Sequence, residues 1–179
     1  MENQKNETGI ERAPQHPSIW KDLLFLLAKI GVIALVFVLL FTFLFGIMRY
    51  PEPSMAPAIK DGDLVIFYRG DHDFQPRDAV VLVVDGQKQV RRVVALEGDL
   101  VDITEDGLVI NGALQQELGI YQKTERFTEG VDFPLTVPLG QVFVLGDDRA
   151  NATDSRIYGC VKISDVLGSV MTVIRRRDI

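Results

Sequence analysis

Hydrophobic residues dominate one long segment near the N-terminus and then recur only in short runs. Residues Ile30–Met48 carry no charge, and Leu23–Ala28 extend this apolar segment with a single lysine between the two parts. About 20 apolar residues suffice for a helix to cross a bilayer. Trp20 and Tyr50 flank the segment, as aromatic side chains do at a membrane interface. The pattern therefore predicts a transmembrane anchor over residues 21–49.

This anchor differs from a cleavable export signal. A cleavable signal has an apolar core of about 7 to 15 residues followed by a small-residue cleavage site. Here the apolar segment is longer, and it ends with Phe45–Arg49 instead of such a site. More basic residues precede the apolar core (Lys5, Arg12, Lys21 and Lys29) than follow it closely (Arg49), which favours an inside N-terminus. We therefore predict a single-pass protein of the cell membrane, with a cytoplasmic tail (1–20), the anchor (21–49) and an extracytoplasmic domain (50–179).

The pattern changes after Tyr50 to short runs of β-branched residues separated by turn residues, which is typical of β-sheet. The strongest strand candidates are Leu64–Tyr68, Ala79–Val84 and Gln89–Leu96. A second hairpin is predicted over Leu108–Ile110 and Ala113–Gln115, and later strands over Gln141–Leu145 and Val166–Ile174. Asp85-Gly86 and Asn111-Gly112 predict type I′ hairpin turns. Val80–Val84 is apolar at every position, which predicts a strand that is buried on both faces. The domain is predicted to be mostly β.

Composition limits the size of the domain and the class of its partners. The chain has 179 residues, of which 47% are hydrophobic, enough for one modest domain and an anchor. Its net charge of -6 argues against nucleic acid as a partner, because phosphate binding needs a concentrated basic face. The single cysteine, Cys160, excludes an internal disulfide and is predicted to be a small packed residue rather than a nucleophile.

Four segments carry more specific information because of their order and spacing. They are Ser54-Met55-Ala56-Pro57, Asp61-Gly62-Asp63-Leu64-Val65, Arg91 to Asp99, and Gly146-Asp147-Asp148-Arg149 through Asp154-Ser155-Arg156. Together with the N-terminal anchor, they resemble the conserved boxes of bacterial type I signal peptidases, in particular the short Gram-positive members. The resemblance implies a membrane-anchored, antiparallel β fold. It also implies a Ser and Lys pair that cuts signal peptides after small residues at the outer face of the membrane.

The resemblance assigns roles to two neighbouring residues of the first segment. It identifies Ser54 as the nucleophile and gives Met55 a part in shaping the substrate groove. An alcohol close to the membrane surface can reach a bond just outside the apolar core of a signal peptide, because the anchor and that apolar core lie at the same depth in the bilayer. The alternative is that Ser54 only shapes a turn between prolines.

Arg91 occupies the position at which the resemblance implies a general-base lysine. Burial lowers a lysine pKa by up to about 3 to 5 units, which makes a free amine accessible near neutral pH. The pKa of arginine lies far above neutral pH, and each unit of that gap costs about 1.36 kcal/mol, more in total than burial can supply. A guanidinium also offers no acceptor lone pair. We therefore predict that Arg91 is not a base.

Three further departures from the family pattern fall in the same region. Ala152 occupies the position of a serine that supports the lysine amine, and Ala58 that of a threonine after the proline. Glu52 occupies the position of a small or hydroxyl residue two before the nucleophile. These changes predict a missing hydrogen-bond partner for the base and a carboxylate near the oxyanion site, where negative charge is unfavourable.

The acidic and basic residues of the fourth segment predict structure rather than chemistry. Asp154 and Arg156, with Arg149 and Asp147, are expected to form ion pairs that hold this loop beside the nucleophile. A metal site built from Asp147, Asp148 and Asp154 is the weaker interpretation, so we predict no metal and no cofactor. Lys88, Lys60 and His72 are the other candidate bases; strand alternation turns Lys88 away from Arg91, and His72 lies in a polar loop.

Two functional hypotheses follow from the sequence. The first is a signal-peptidase-like protein that binds signal peptides of exported precursors and cleaves them with Ser54. The second is a catalytically impaired homologue that binds exported precursors such as pilins, for example in pilus assembly. A third and more distant hypothesis is an anchored β domain with a structural role. The expected partners are signal peptides or pilin-like precursors and the lipid bilayer.

Overall fold

The computed structural model describes residues 19–176, and the chain divides into two compact units between Leu39 and Leu40. Helix α1 runs over Ile19–Leu44. By length and apolar composition, it is the one helix within the described residues able to cross a membrane. The predicted cytoplasmic tail lies outside the described residues, except for residues 19 and 20, which begin α1.

The end of the helix corrects the predicted boundary of the anchor. Their apolar character predicts that Phe45–Arg49 belong to the anchor, but they form strand β1, which pairs antiparallel with Leu64–Tyr68. Gly46 permits this pairing, because a Cβ at that position would lie 2.1 Å from the Phe67 ring. Tyr50 follows β1 and is fully buried, so its predicted interfacial position is also wrong.

A large antiparallel sheet of seven strands forms most of the second unit. Its strands are β1 (Phe45–Arg49), β2 (Leu64–Tyr68), β3 (Ala79–Val84), β4 (Gln87–Ala95), β9 (Gln141–Leu145), β10 (Val161–Lys162) and β11 (Val166–Ile174). They lie in the order β1-β2-β11-β3-β4-β9-β10. The core strands β3 and β4 form a hairpin, in which Val80 lies opposite Arg91.

A second sheet and two short helical turns complete the fold. Strands β5 (Leu100–Thr104), β6 (Gly107–Ile110), β7 (Ala113–Leu114) and β8 (Leu135–Thr136) are ordered β7-β6-β5-β8. Helix α2 spans Ser155–Tyr158 and a 3-10 helix spans Ile163–Asp165. The mostly antiparallel β architecture with one apolar N-terminal helix confirms the predicted fold class.

The hydrophobic pattern located most of the large sheet. The predicted runs for β2, β3, β9 and β11 match the observed bounds, and both hairpin turns have two consecutive positive φ angles (Asp85 50°, Gly86 76°; Asn111 52°, Gly112 80°). Val80, Val81 and Leu82 are fully buried, as predicted, but Val83 and Val84 are only partly covered. Strands β5, β8 and β10 and helix α2 were not predicted.

Candidate active site

Ser54 lies in a turn between β1 and β2, at the edge of a buried apolar cluster. The turn is closed by a hydrogen bond from the Ala56 N–H to the Pro53 carbonyl oxygen, 2.8 Å. The Ser54 carbonyl oxygen accepts a hydrogen bond of 3.0 Å from the Asp148 N–H. Ser54 is only 3% exposed. The nucleophile candidate is therefore held by its own turn and by the loop after β9.

Strand β4 brings Arg91 to the Ser54 hydroxyl. Successive side chains of a strand point to opposite faces, so Arg91 turns towards the Ser54 turn while Arg92 pairs with Asp147 through two hydrogen bonds of 2.7 and 2.5 Å. The Arg91 Nη1 donates to Ser54 Oγ at 2.8 Å. Arg91 is fully buried. The structure therefore brings the nucleophile candidate and this arginine into direct contact, and their catalytic roles stay predictions.

Backbone carbonyl groups fix the rest of the Arg91 guanidinium. Its Nε and Nη2 donate to the Thr153 carbonyl oxygen at 3.0 and 2.8 Å, and Nη1 also donates to the Val90 carbonyl oxygen at 2.6 Å. The neighbouring Ala152 carries no hydroxyl group. The carbonyl group of Thr153 thus supplies a polar contact beside a position where the family resemblance implied a serine.

Glu52 completes the site as the anionic partner of Arg91. Its Oε1 lies 2.9 Å from Arg91 Nη1, and its side chain is 34% exposed. The same oxygen accepts a hydrogen bond of 3.3 Å from the Tyr50 hydroxyl, and Tyr50 Oη lies 2.6 Å from Ser54 Oγ. The carboxylate expected to disturb an oxyanion site is therefore paired with a buried cation.

Electrostatics keep the proton on both Arg91 and Tyr50. Burial is the largest influence on the pKa of Arg91 and lowers it, but the hydrogen bond and charge of Glu52, with smaller contributions from Tyr158 and Tyr50, together outweigh burial, so the pKa lies above its ordinary value. Burial raises the pKa of the Tyr50 hydroxyl, although its hydrogen bond with Ser54 acts in the opposite direction. At neutral pH, Arg91 can only donate hydrogen bonds to Ser54.

The loop after β9 supports the site through a second buried ion pair. Arg156 Nε and Nη2 donate to the two Asp154 oxygens at 2.9 and 2.8 Å, and Asp154 also accepts from the Gly146 N–H at 3.0 Å. This predicted pair is present. Arg149 instead pairs with Glu117 at 2.7 Å, while Asp147 pairs with Arg92.

Close backbone packing explains Gly146. A Cβ at this position would lie 2.2 Å from the Ala152 Cβ and 2.7 Å from the Ser54 carbonyl oxygen. Both distances are too short for atoms that are not bonded to each other. Any residue other than glycine at position 146 would therefore force the loop and the Ser54 turn apart. Glycine therefore permits the contact between the two segments.

The remaining candidates lie elsewhere or make different contacts. Lys60, Lys88 and His72 are exposed, and none of them hydrogen-bonds to Ser54. Met55 is fully buried in the cluster that contains Ile59 and Val65, so its contact with substrate stays a prediction. Among residues 19–176, no group of three His, Cys, Asp or Glu side chains could hold a metal ion.

Two contributors to the site escaped sequence reasoning. The apolar run before Tyr50 predicts an aromatic ring at the membrane interface. The only sequence signal for its contact with Ser54 is that Tyr50 lies four residues before it. Thr153 acts through its backbone carbonyl oxygen, which no side-chain pattern reveals. Cys160 is half-buried, and burial raises its pKa to about 11, which fits a packed thiol.

Comparison with known proteins gives consistent matches over most of the chain. The model of the family described as signal peptidase, peptidase S26, matches residues 23–174. The chain is 34% identical over 131 residues to signal peptidase I of Bacillus caldolyticus, covering 65% of this chain and 72% of that protein. It is 34% identical over 150 residues to signal peptidase I of Bacillus licheniformis, covering 76% and 80%. The crystal structure of a signal peptidase I from Enterococcus faecalis V583 matches with 32% identity and a TM-score of 0.47, covering 56% of this chain and 97% of that chain.

Proposed function

The chain belongs to the signal peptidase, peptidase S26, family, and on that premise we propose that it binds signal peptides and cleaves them slowly, with Ser54 as the nucleophile. Family membership implies substrates that carry signal peptides. The proposal adds that cleavage occurs at the outer face of the cell membrane. The excess of basic residues on the N-terminal side of the uncharged segment Ile30–Met48 supports an N-terminus in the cytoplasm and residues 50–179 outside.

One observation carries the proposal of slow cleavage: Arg91 Nη1 donates to Ser54 Oγ at 2.8 Å. A guanidinium has five donors and no acceptor, so this contact cannot remove the serine proton. Losing one member of a catalytic group typically lowers the rate by about 10⁴ to 10⁶ while binding persists. We therefore expect substrate binding of ordinary strength and a low turnover number.

A noncleaving binding factor, for example for pilin-like precursors in pilus assembly, is the second candidate function. The ion pair of buried Arg91 with partly exposed Glu52 favours it, because the pair fixes a protonated group beside Ser54. This candidate shares the substrate class of the first and differs only in turnover.

The proposal is tested with the full chain in detergent micelles and a synthetic precursor peptide. The peptide carries a basic start, an apolar core and a small-residue cleavage site. Binding is measured by fluorescence anisotropy, and cleavage by mass spectrometry over long incubations. We expect the wild type and Ser54→Ala to bind equally, and only the wild type to release the two fragments.

Each alternative outcome has a distinct meaning. Binding by both proteins without cleavage by either would replace slow cleavage by the noncleaving role. Absence of binding would reject both candidate functions. Equal cleavage by Ser54→Ala and the wild type would show that Ser54 is not the nucleophile.

A further inference from the structure

Ser54 and three polar side chains around it form a closed ring of hydrogen bonds. Arg91 Nη1 contacts Glu52 Oε1 at 2.9 Å and Ser54 Oγ at 2.8 Å. Tyr50 Oη contacts Ser54 Oγ at 2.6 Å and Glu52 Oε1 at 3.3 Å. Tyr50 and Arg91 are fully buried, while the Glu52 side chain is 34% exposed.

The chemistry of Arg91 and Glu52 fixes the direction of the bonds that these two residues make, while either hydroxyl can donate in the bond between Tyr50 and Ser54. A guanidinium only donates and an ionised carboxylate only accepts. The Tyr50 hydroxyl has a single hydrogen. When Tyr50 donates it to Glu52, the hydrogen between Tyr50 and Ser54 must come from the Ser54 hydroxyl. Hydrogen bonds that run in one direction from a cation to an anion also strengthen one another. The favoured arrangement points the Ser54 hydrogen towards Tyr50 and the Tyr50 hydrogen towards Glu52.

We infer that Tyr50 and Glu52 form a proton path that takes the place of a direct general base, an inference that rests on the proposed cleavage by Ser54. The Ser54 proton moves to Tyr50 Oη as the Tyr50 proton moves to Glu52 Oε1. The electron pair freed on Ser54 Oγ forms the bond to the carbonyl carbon of the scissile peptide. Tyr50 touches the reacting hydroxyl and is a catalytic residue, whereas Glu52 acts through it.

The remaining steps return the proton by the same path. When the C–N bond of the substrate breaks, the proton held by Glu52 passes through Tyr50 to the leaving amine. A water molecule then attacks the acyl group on Ser54 and gives one proton to the path, which delivers it to Ser54 Oγ as the carboxylic acid product leaves. The sum is hydrolysis of one peptide bond by one water molecule.

Arg91 stabilises the negative charge throughout this proton transfer. Before transfer the negative charge lies on Glu52, and during transfer it moves towards Ser54 Oγ. The same nitrogen, Arg91 Nη1, contacts both oxygens at 2.9 and 2.8 Å, so the cation stays beside the charge throughout. Fixed charge of this kind, oriented in advance, lowers the barrier for developing anions. Arg91 is thus a stabilising partner rather than a proton acceptor.

The decisive variant is Tyr50→Phe, which breaks the path but leaves Glu52 and Arg91 paired. General acid–base catalysis typically contributes about 10² to 10⁴ in rate, so we expect kcat in the peptide assay to fall by about 100-fold. Peptide affinity should be unchanged. Tyr121→Phe, which alters a tyrosine that is 86% exposed, is the matched control. A kcat for Tyr50→Phe within twofold of the wild type would overturn the inference.

A second test uses the pH profile of kcat to isolate Glu52. A carboxylate acceptor produces a fall in kcat on the acid side. Arg91, Tyr50 and the nearby Tyr158 stay protonated there, so they cannot produce that fall. We expect the acid limb to disappear from the residual activity of Glu52→Gln and to return in Glu52→Asp. An acid limb that persists in Glu52→Gln would overturn the inference.

Failure of the path and failure of the proposed function give different results. Ser54-dependent cleavage that is insensitive to Tyr50→Phe removes the path and leaves the function. Peptide binding without any Ser54-dependent cleavage also removes the path and leaves the noncleaving role. Loss of peptide binding by the wild type removes the function itself. Thermal unfolding of each variant, measured beside wild type, separates loss of fold from loss of chemistry.

Discussion

Two ion pairs near Ser54, Asp154 with Arg156 and Glu52 with Arg91, differ in their access to solvent. Asp154 and Arg156 are 0% and 1% exposed and satisfy one another through two parallel hydrogen bonds. Arg91 is equally buried, but its partner Glu52 keeps a third of its side chain in contact with solvent. The first pair is sealed and holds a loop, whereas the second has an open end at which a proton can enter or leave.

The sealed pair of Asp154 and Arg156 should contribute more to the free energy of unfolding than an exposed ion pair does. Removing one member of a buried pair leaves a charge without a partner and costs about 3 to 5 kcal/mol. Arg156→Ala should therefore lower the free energy of unfolding by about that amount, as measured by urea denaturation of the full chain in micelles. Arg126→Ala is the control, because Arg126 and Asp102 are 48% and 29% exposed, and exposed pairs contribute about 0 to 1 kcal/mol. Equal losses in both variants would contradict the comparison.

In the open pair, Glu52 should control whether a lysine at position 91 can act as a general base. In Arg91→Lys, the neighbouring Glu52 carboxylate favours the charged amine and raises its pKa, so we expect little gain in cleavage at neutral pH. Removing the carboxylate as well, in Arg91→Lys/Glu52→Gly, should raise kcat by about 100-fold over the single variant, a gain in the range of general base catalysis.

The pH profile checks the cause of this gain. The single variant should become active only at alkaline pH, and the double variant closer to neutrality. Coincident profiles for the two variants would show that Glu52 does not control the charge of the introduced amine.

The loop and the site are joined at Gly146, so a methyl group there should affect both. Its Cβ would lie 2.7 Å from the Ser54 carbonyl oxygen, and overpacking of this kind costs about 1 to 3 kcal/mol. Gly146→Ala should lower stability by that amount and reduce cleavage further by displacing Ser54. Gly31→Ala, where the added Cβ meets no side chain and no other segment of the described residues within 4 Å, should not lower stability. Unchanged stability in Gly146→Ala would contradict the packing argument.

The smallest expected effect is an alkaline dependence of stability. The folded chain holds the Tyr50 proton to higher pH than the unfolded chain, because burial raises its pKa above the usual value of 10.0. Stability is therefore complete below the unfolded pKa and falls as pH rises above it. The slope of unfolding free energy against pH above about pH 10 should be shallower in Tyr50→Phe than in wild type. Identical slopes would show that Tyr50 does not contribute.

The parts of the fold that depend on local pattern could be predicted from the sequence. Strands β2 and β3 carry apolar β-branched runs bounded by turn residues, and Asp85-Gly86 specifies a tight hairpin by its positive φ angles. Strand β1 could not be separated from the helix by hydrophobicity alone, because both are apolar. Its pairing with β2 is a tertiary effect.

The site was predictable to the extent that it depends on side-chain identity. Ser54 and Arg91 were correctly expected to meet, and the pair of Asp154 and Arg156 was also expected. Glu52 was expected to be unfavourable, because the sequence does not show that Arg91 lies 2.9 Å away and compensates its charge. The role of Tyr50 required the conformation of the turn between Tyr50 and Ser54, which only the folded chain defines.

The Thr153 carbonyl contact has a consequence for genetic screens of this protein. Two of the three guanidinium nitrogens of Arg91 bind the main-chain oxygen of Thr153, and no amino-acid substitution at position 153 deletes that oxygen. Saturation mutagenesis would therefore score Thr153 as tolerant. Inserting or deleting one residue between Asp148 and Asp154 would instead move the oxygen, and only such length variants would reveal its importance.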